Sequence, residues 1–102
     1  MAINAAFTPQ LATVNIAVTG TSASVALNNT VGISGNQVRI FNNGSSVSFI
    51  AFGTSSSVTA TITSIPIAPN SVEVMGVPGG TTYIAAIGTT GNTIYFTMGE
   101  GL

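Results

Sequence analysis

Residues 37–52 read QVRIFNNGSSVSFIAF and set the pattern for the whole chain. Two runs of alternating apolar side chains, 37–41 and 46–52, flank Asn42-Asn43-Gly44. Alternation with a period of two is typical of a β-strand, and Asn-Gly favours a type I′ hairpin turn. This stretch therefore predicts two strands joined by a hairpin. Both faces of 46–52 are largely apolar, which predicts a central strand or one covered on both sides.

The same alternation recurs along the rest of the chain. Further strands are predicted at 11–18, 22–27, 58–62, 71–77, 82–87 and 93–98. Gly20-Thr21 predicts a hairpin between the first two of these, while Pro66 and Pro69 make 65–69 a connection or an edge. About eight short strands with frequent turns predict one all-β domain over residues 1–102, an eight-stranded antiparallel sandwich resembling a jelly roll. Residues 1–10 are predicted to form an extended N-terminal arm.

Charged side chains are almost absent. The chain carries only Arg39, Glu73 and Glu100, with no Lys, Asp, His, Cys or Trp. Without His or Cys we expect no ordinary transition-metal or haem site, no disulfide framework and no cofactor. One cation cannot neutralise a row of phosphates, so we expect no nucleic-acid binding. No run of hydrophobic residues exceeds five, so we expect no membrane span, and the N-terminus has no secretory pattern.

Catalytic chemistry finds little support in the sequence. Glu73 and Glu100 are the only pair available for general acid–base work, and serine nucleophiles lack a His or Lys base. We therefore expect no enzyme. Arg39 and Glu73 are open to several interpretations: solvated side chains, a pair within the chain, a pair between subunits, or a contact from Arg39 to a partner's carboxylate.

A surface with so little charge favours burial against copies of the chain or a larger assembly, because interfaces are depleted in Lys, Glu and Asp. A second surface feature is the alternation of Thr59, Thr61 and Thr63 on one predicted strand. Such a row is typical of a wetted strand face, although flat threonine rows bind ice or glycans in some proteins.

Several segments of the sequence resemble those of a known protein family. Residues 35–44 read GNQVRIFNNG, 48–54 read SFIAFGT, 72–74 read VEV and 95–102 read YFTMGEGL. These segments are similar to small virion proteins of tailed bacteriophages, over about residues 35–102. The resemblance implies a non-enzymatic structural protein of the virion, assembled in the bacterial cytoplasm. Proteins of this kind serve as capsid decoration or cement subunits, and related folds occur in neck and tail parts.

We therefore expect a capsid decoration protein that binds the major capsid protein or another virion protein, as a homo-oligomer and preferably a trimer. A neck, tail or head-fibre component and a glycan- or receptor-binding module are the alternatives. The predicted interface comprises the N-terminal arm and scattered strand residues. Its members are Phe7, Pro9, Arg39, Phe41, Phe52, Glu73 and Tyr95.

Overall fold

The computed structural model describes residues 8–9, 12–27, 36–78 and 80–100. These residues form nine β-strands and no helix. The strands are β1 (Thr8–Pro9), β2 (Val14–Ala17), β3 (Ala23–Ala26), β4 (Asn36–Asn43), β5 (Ser48–Gly53), β6 (Ile65–Ile67), β7 (Ser71–Gly76), β8 (Tyr83–Ile87) and β9 (Thr93–Glu100). The predicted N-terminal arm lies outside the described residues, apart from β1.

The strands pair as one long hairpin that has been folded over. β1 and β2 lie along the same edge of β9, at its two ends, and count as one interrupted strand. β3 pairs with β8, β4 with β7, and β5 with β6, all antiparallel. The front sheet has the order β1/β2-β9-β4-β7 and the back sheet β3-β8-β5-β6. This eight-strand order is that of a jelly roll, so the predicted fold class is confirmed.

Most connections cross from one sheet to the other, and this overturns both predicted hairpins. β2 and β3 lie in different sheets, as do β4 and β5. Neither Asn43 nor Gly44 has the positive φ that a type I′ turn requires. Among the described residues, positive φ values occur at Asn70, Gly80 and Gly91. Pairing with distant strands therefore outweighs the local turn preference, and β5 with β6 is the only consecutive pair among the described strands.

The predicted strand at 58–62 is wrong. Residues 54–64, here called the back loop, contain no strand, and β6 begins at Ile65 instead. Hydroxyl groups bond locally in the loop: Thr61 Oγ1 lies 2.8 Å from Thr63 Oγ1, and Ser64 Oγ accepts a bond from Thr61 N at 3.0 Å. Such bonds compete with a sheet ladder. Because β6 is an edge strand, it tolerates Pro66, and the edge interpretation of 65–69 is confirmed.

The core lies between the two sheets and is mainly aliphatic. Alternate residues of the inner strands face it, and β5 is an inner strand of the back sheet, as predicted. Twelve buried side chains form one cluster: Ile16, Val18, Leu27, Val38, Ile40, Ile50, Ile67, Ile84, Ala86, Ile94, Phe96 and Met98. The radius of gyration, 12.9 Å, is that of a single domain of about 100 residues.

One end of the sandwich carries a buried polar cluster, here called the polar corner. Asn42 Nδ2 lies 3.1 Å from the carbonyl oxygens of Ser46, Ile67 and Ala68, whereas its Oδ1 has no partner. Asn92 Nδ2 donates to Ser46 O at 3.0 Å and Ser48 Oγ at 3.3 Å. The polar corner thus links three connections between the sheets, namely β4 to β5, β6 to β7 and β8 to β9. The hydrogen bonds also give the two buried amide groups the partners that such groups require.

Candidate functional site

The outer surface of the front sheet brings together residues from separate strands. In the register, Val74, Arg39 and Thr97 stand side by side, and the neighbouring row holds Val72, Phe41 and Tyr95. Side chains directly opposite each other in a sheet share a face. These six residues are here called the front face, and their Cβ atoms point away from the core because Val38, Ile40 and Asn42 point into it.

The front face is apolar and partly open to solvent. Val72 and Val74 are 47% and 45% exposed. Beside Val72, the rings of Phe41 and Tyr95 stack with their centroids 5.9 Å apart and an interplanar angle of 20°. Pairs of this geometry contribute roughly 0.5–1.5 kcal/mol beyond their burial. The two rings are therefore held in place by each other before any ligand or partner arrives.

An open depression of about 310 Å³ lies over this surface. Its walls are Thr13, Arg39, Phe41, Asn43, Tyr95 and Thr97. The hydroxyls of Thr13 and Thr97 lie 2.7 Å apart and share a hydrogen bond. The depression therefore combines aromatic rings with hydroxyl, amide and guanidinium groups, a mixture that orients a ligand while burying its apolar part.

The opposite outer surface, on the back sheet, is partly covered by the chain itself. Ala85 is fully buried although its neighbours Ile84 and Ala86 are the ones that face the core. The back loop lies over this position: Ser24 Oγ donates to Ser56 O at 2.9 Å, and Ala60 N donates to Ser22 Oγ at 2.9 Å. On the front face, Val72 and Val74 are exposed side by side on one edge strand. The outer side of the back sheet also carries apolar side chains, but Phe49 and Ile87 are half-buried there, and Ile62 is exposed on the back loop.

Four of the predicted interface residues meet on one surface. Arg39, Phe41 and Tyr95 belong to the front face, and Pro9 stands opposite Gly99 two positions further along β9. Phe52 does not join them, because it lies in the back sheet and packs against the core. Phe7 lies outside the described residues.

A pair between Arg39 and Glu73 within one chain does not form. Glu73 stands opposite Ile40 in the register, whereas Arg39 stands opposite Val74. Their side chains therefore leave opposite faces of the sheet. Glu73 is exposed on the core side of the edge strand β7, and an inward-facing charge at such a place discourages pairing with a further strand.

Sequence reasoning missed Val72, Val74, Asn43, Thr13 and Thr97 as members of this site. The alternation at 71–77 already placed Val72 and Val74 on one side of their strand. Which neighbouring strand they face is decided by the nested pairing of β4 with β7 and β9. That pairing is long-range, so no local turn or motif signals it.

The described part of the chain shows no arrangement of residues typical of a metal site or a membrane-spanning helix. No group of three or more His, Cys, Asp or Glu residues is placed to hold a metal ion there. None of the described residues forms a helix long and apolar enough to cross a membrane. Comparison with models of protein families, with curated proteins and with solved structures finds no match for this chain.

Proposed function

We propose that this protein is a non-enzymatic structural subunit of a tailed-phage particle, a capsid decoration protein that binds the outer capsid surface. The observation that carries the proposal is the front face. Exposed valines, a stacked aromatic pair and one arginine lie together there, and aromatic residues and Arg are the types enriched in protein interfaces. The resemblance of residues 35–102 to small virion proteins of tailed bacteriophages supports a phage particle as the assembly to which this face binds.

In this proposal the front face lies against the major capsid protein. Each subunit contributes a modest contact, and the high density of sites on a capsid multiplies the total. Because the subunit binds the assembled shell, it stabilises the shell by mass action. A trimer fits this role, since three-fold positions recur over a capsid lattice.

The proposal contains no catalytic step. The front face presents hydroxyls, an amide and a guanidinium, but its described residues include no imidazole, amine or carboxylate that would act as a base at neutral pH. A serine or threonine nucleophile requires such a neighbour. The chemistry of the site is therefore that of a binding surface.

The test is co-sedimentation with expanded, empty capsids of the phage whose genome encodes the chain. Val74→Glu places a charge on the front face, while Ile62→Glu makes the same change on the back loop, where Ile62 is 76% exposed. We expect the wild-type protein and Ile62→Glu to sediment with capsids and Val74→Glu to stay in solution. Absence of wild-type binding, or equal binding by all three proteins, contradicts the proposal.

Light scattering over a concentration series gives the native mass as a second measurement. A trimer agrees with decoration at three-fold positions. A larger closed ring would instead favour a neck or tail component, whose copy number is set by a ring.

A second candidate function is a glycan- or receptor-binding module. The open depression beside Phe41 and Tyr95 favours it, because ring edges with nearby hydroxyl and amide groups suit a sugar. Screening the labelled protein on a glycan array tests this candidate. Saturable binding to one sugar class, lost in Tyr95→Ala, supports it, whereas binding to none removes it.

A further inference from the structure

The front face has an unbalanced charge. Arg39 is the chain's single cation, and it is exposed in the wall of the open depression. Glu73 leaves the other side of the sheet, so the described side chains of the front face include no carboxylate. None of the described residues accepts a hydrogen bond from the guanidinium or forms an ion pair with it. Its five N–H donors are therefore available to a ligand.

Arg39 lies between an apolar neighbour and hydroxyl-bearing ones. Val74 stands beside it on one strand and Thr97 on the other, and the hydroxyl of Thr97 is already paired with that of Thr13. The next row holds Val72, Phe41 and Tyr95. A partner that covers this surface therefore removes the guanidinium from water, which is costly unless the partner supplies an opposite charge.

We propose that the depression binds a carboxylate that lies next to apolar side chains in a segment of the partner protein. This proposal rests on the proposed function and names what the capsid surface contributes. Arg39 holds the carboxylate through a charge-assisted pair, and Phe41, Tyr95 and the two valines cover the adjoining apolar groups. The partner chemistry is thus an acidic residue, Asp or Glu, flanked by aliphatic or aromatic residues.

Two other occupants fit the surface less well. A second copy of the chain, packed front face to front face, would offer Arg39 no carboxylate from its described residues, because Glu73 leaves the other side of the sheet. An acidic sugar would satisfy Arg39 but would leave Val72 and Val74 without apolar partners, although both belong to the same surface. A protein segment satisfies the charge and the aliphatic positions together.

The test uses the isolated ¹⁵N-labelled protein and small probes, followed by NMR titration. The probes are 3-phenylpropionate, its neutral amide 3-phenylpropionamide, and glucuronate. We expect 3-phenylpropionate to cause saturable shifts centred on the amides of Arg39, Phe41, Val72, Tyr95 and Thr97. Because a hydrogen bond to a charged group contributes roughly 1.5–3 kcal/mol, the neutral amide should bind roughly 10- to 100-fold more weakly.

Variants at Arg39 separate charge recognition from simple apolar contact. Arg39→Gln should bind 3-phenylpropionate and the amide equally weakly, and Arg39→Lys should keep part of the preference. Equal binding of acid and amide by the wild-type protein overturns the proposal, as does the absence of saturable shifts. Stronger binding of glucuronate than of 3-phenylpropionate assigns the depression to acidic sugars and overturns the choice of a protein segment.

Failure here and failure of the proposed function are distinguishable. If the probes do not bind but Val74→Glu still abolishes capsid binding, the front face is supported as the docking surface and the carboxylate site is contradicted. If 3-phenylpropionate binds through Arg39 but the wild-type protein does not bind capsids, the carboxylate site is supported and the proposed capsid function is contradicted. Arg39→Gln should also weaken capsid co-sedimentation, whereas Ile62→Glu should not.

Discussion

Gly44→Ala should destabilise the protein through one specific contact. A Cβ atom on Gly44 would lie 2.1 Å from Asn92 Oδ1, 2.3 Å from Asn92 Cγ and 2.7 Å from Asn92 Cβ. All three atoms belong to a single side chain of the polar corner. Since Gly44 does not have positive φ, alanine fits its backbone conformation, and the expected cost comes from the collision alone.

The magnitude follows from what Asn92 must give up. Because Asn92 Cβ is one of the colliding atoms, rotation of the side chain cannot relieve the contact, and the backbone at Asn92 or Gly44 must shift. That shift removes the Asn92 Nδ2 group from its two acceptors, Ser46 O and Ser48 Oγ. Buried groups left without a partner cost roughly 1–3 kcal/mol, and crowding a packed site costs roughly 1–3 kcal/mol. A smaller gain of about 0.4–1 kcal/mol from a stiffer unfolded chain opposes this. We expect a net loss of about 2–4 kcal/mol in the free energy of unfolding.

The assay is guanidinium unfolding followed by circular dichroism, with Gly20→Ala as the matched control. A Cβ atom on Gly20 would meet nothing within 4 Å, and Gly20 has no positive φ, so its substitution should be neutral or slightly stabilising. For a domain of this size, Gly44→Ala should also lower Tm by roughly 10–20 °C. Equal stability of the two variants would show that the contact between residue 44 and Asn92 carries no cost.

A double-mutant cycle locates the cost. In the Asn92→Gly background all three colliding atoms are gone, so Gly44→Ala should cost less there by roughly 1–3 kcal/mol. An unchanged cost in that background would mean that the methyl group meets something other than Asn92.

Three further predictions concern buried amides, the back loop and salt. Asn42→Asp should lower the free energy of unfolding at pH 7 by several kcal/mol in denaturant titrations, because a buried carboxylate would face three carbonyl oxygens. The stability should rise again near pH 4, where the protonated acid can donate a hydrogen bond. The exposed control Asn15→Asp should change stability little. The double variant Ser22→Ala/Ser24→Ala should cost about 1–2 kcal/mol and speed amide hydrogen exchange in the back loop, since both bonds to the loop are lost; unchanged exchange would contradict the described role of these serines. Capsid attachment should vary little with salt in co-sedimentation, because most contacts are apolar and a covered Arg39–carboxylate pair is screened much less than an exposed one. Release by moderate salt would contradict this.

The sequence predicts the strands better than their connections. Alternation locates seven of the eight predicted strands to within a few residues, because a half-buried strand requires a period of two. Asn43-Gly44 misleads because a local turn preference is weak beside the pairing of whole strands across the molecule. The 58–62 segment misleads because hydroxyl side chains that alternate like a strand also bond readily to nearby backbone.

The candidate site is only partly predictable for the same reason. Arg39 and Phe41 alternate along their strand with the apolar residues Val38 and Ile40. The sequence alone therefore predicts that Arg39 and Phe41 share one face of the strand, opposite Val38 and Ile40. Their neighbours Val72 and Tyr95 come from strands some 30 and 50 residues away, and only the jelly-roll pairing order brings them together. Phe52 shows the converse: its apolar character is compatible with an interface or a core, and its sheet position decides for the core.

The nested pairing has a consequence for how the chain acquires its structure. β9 lies between β1/β2 and β4, so the front sheet lacks one of its two inner strands until residues 93–100 have been synthesised. Until then β2 and β4 have unpaired edges, and residues 1–92 contain only two charged side chains, Arg39 and Glu73, to discourage association with other chains. Folding that waits for such distant partners is slow, on a scale of milliseconds to seconds. The rate of translation and the concentration of nascent chains, rather than the stability of the finished sandwich, would then set the yield of folded protein.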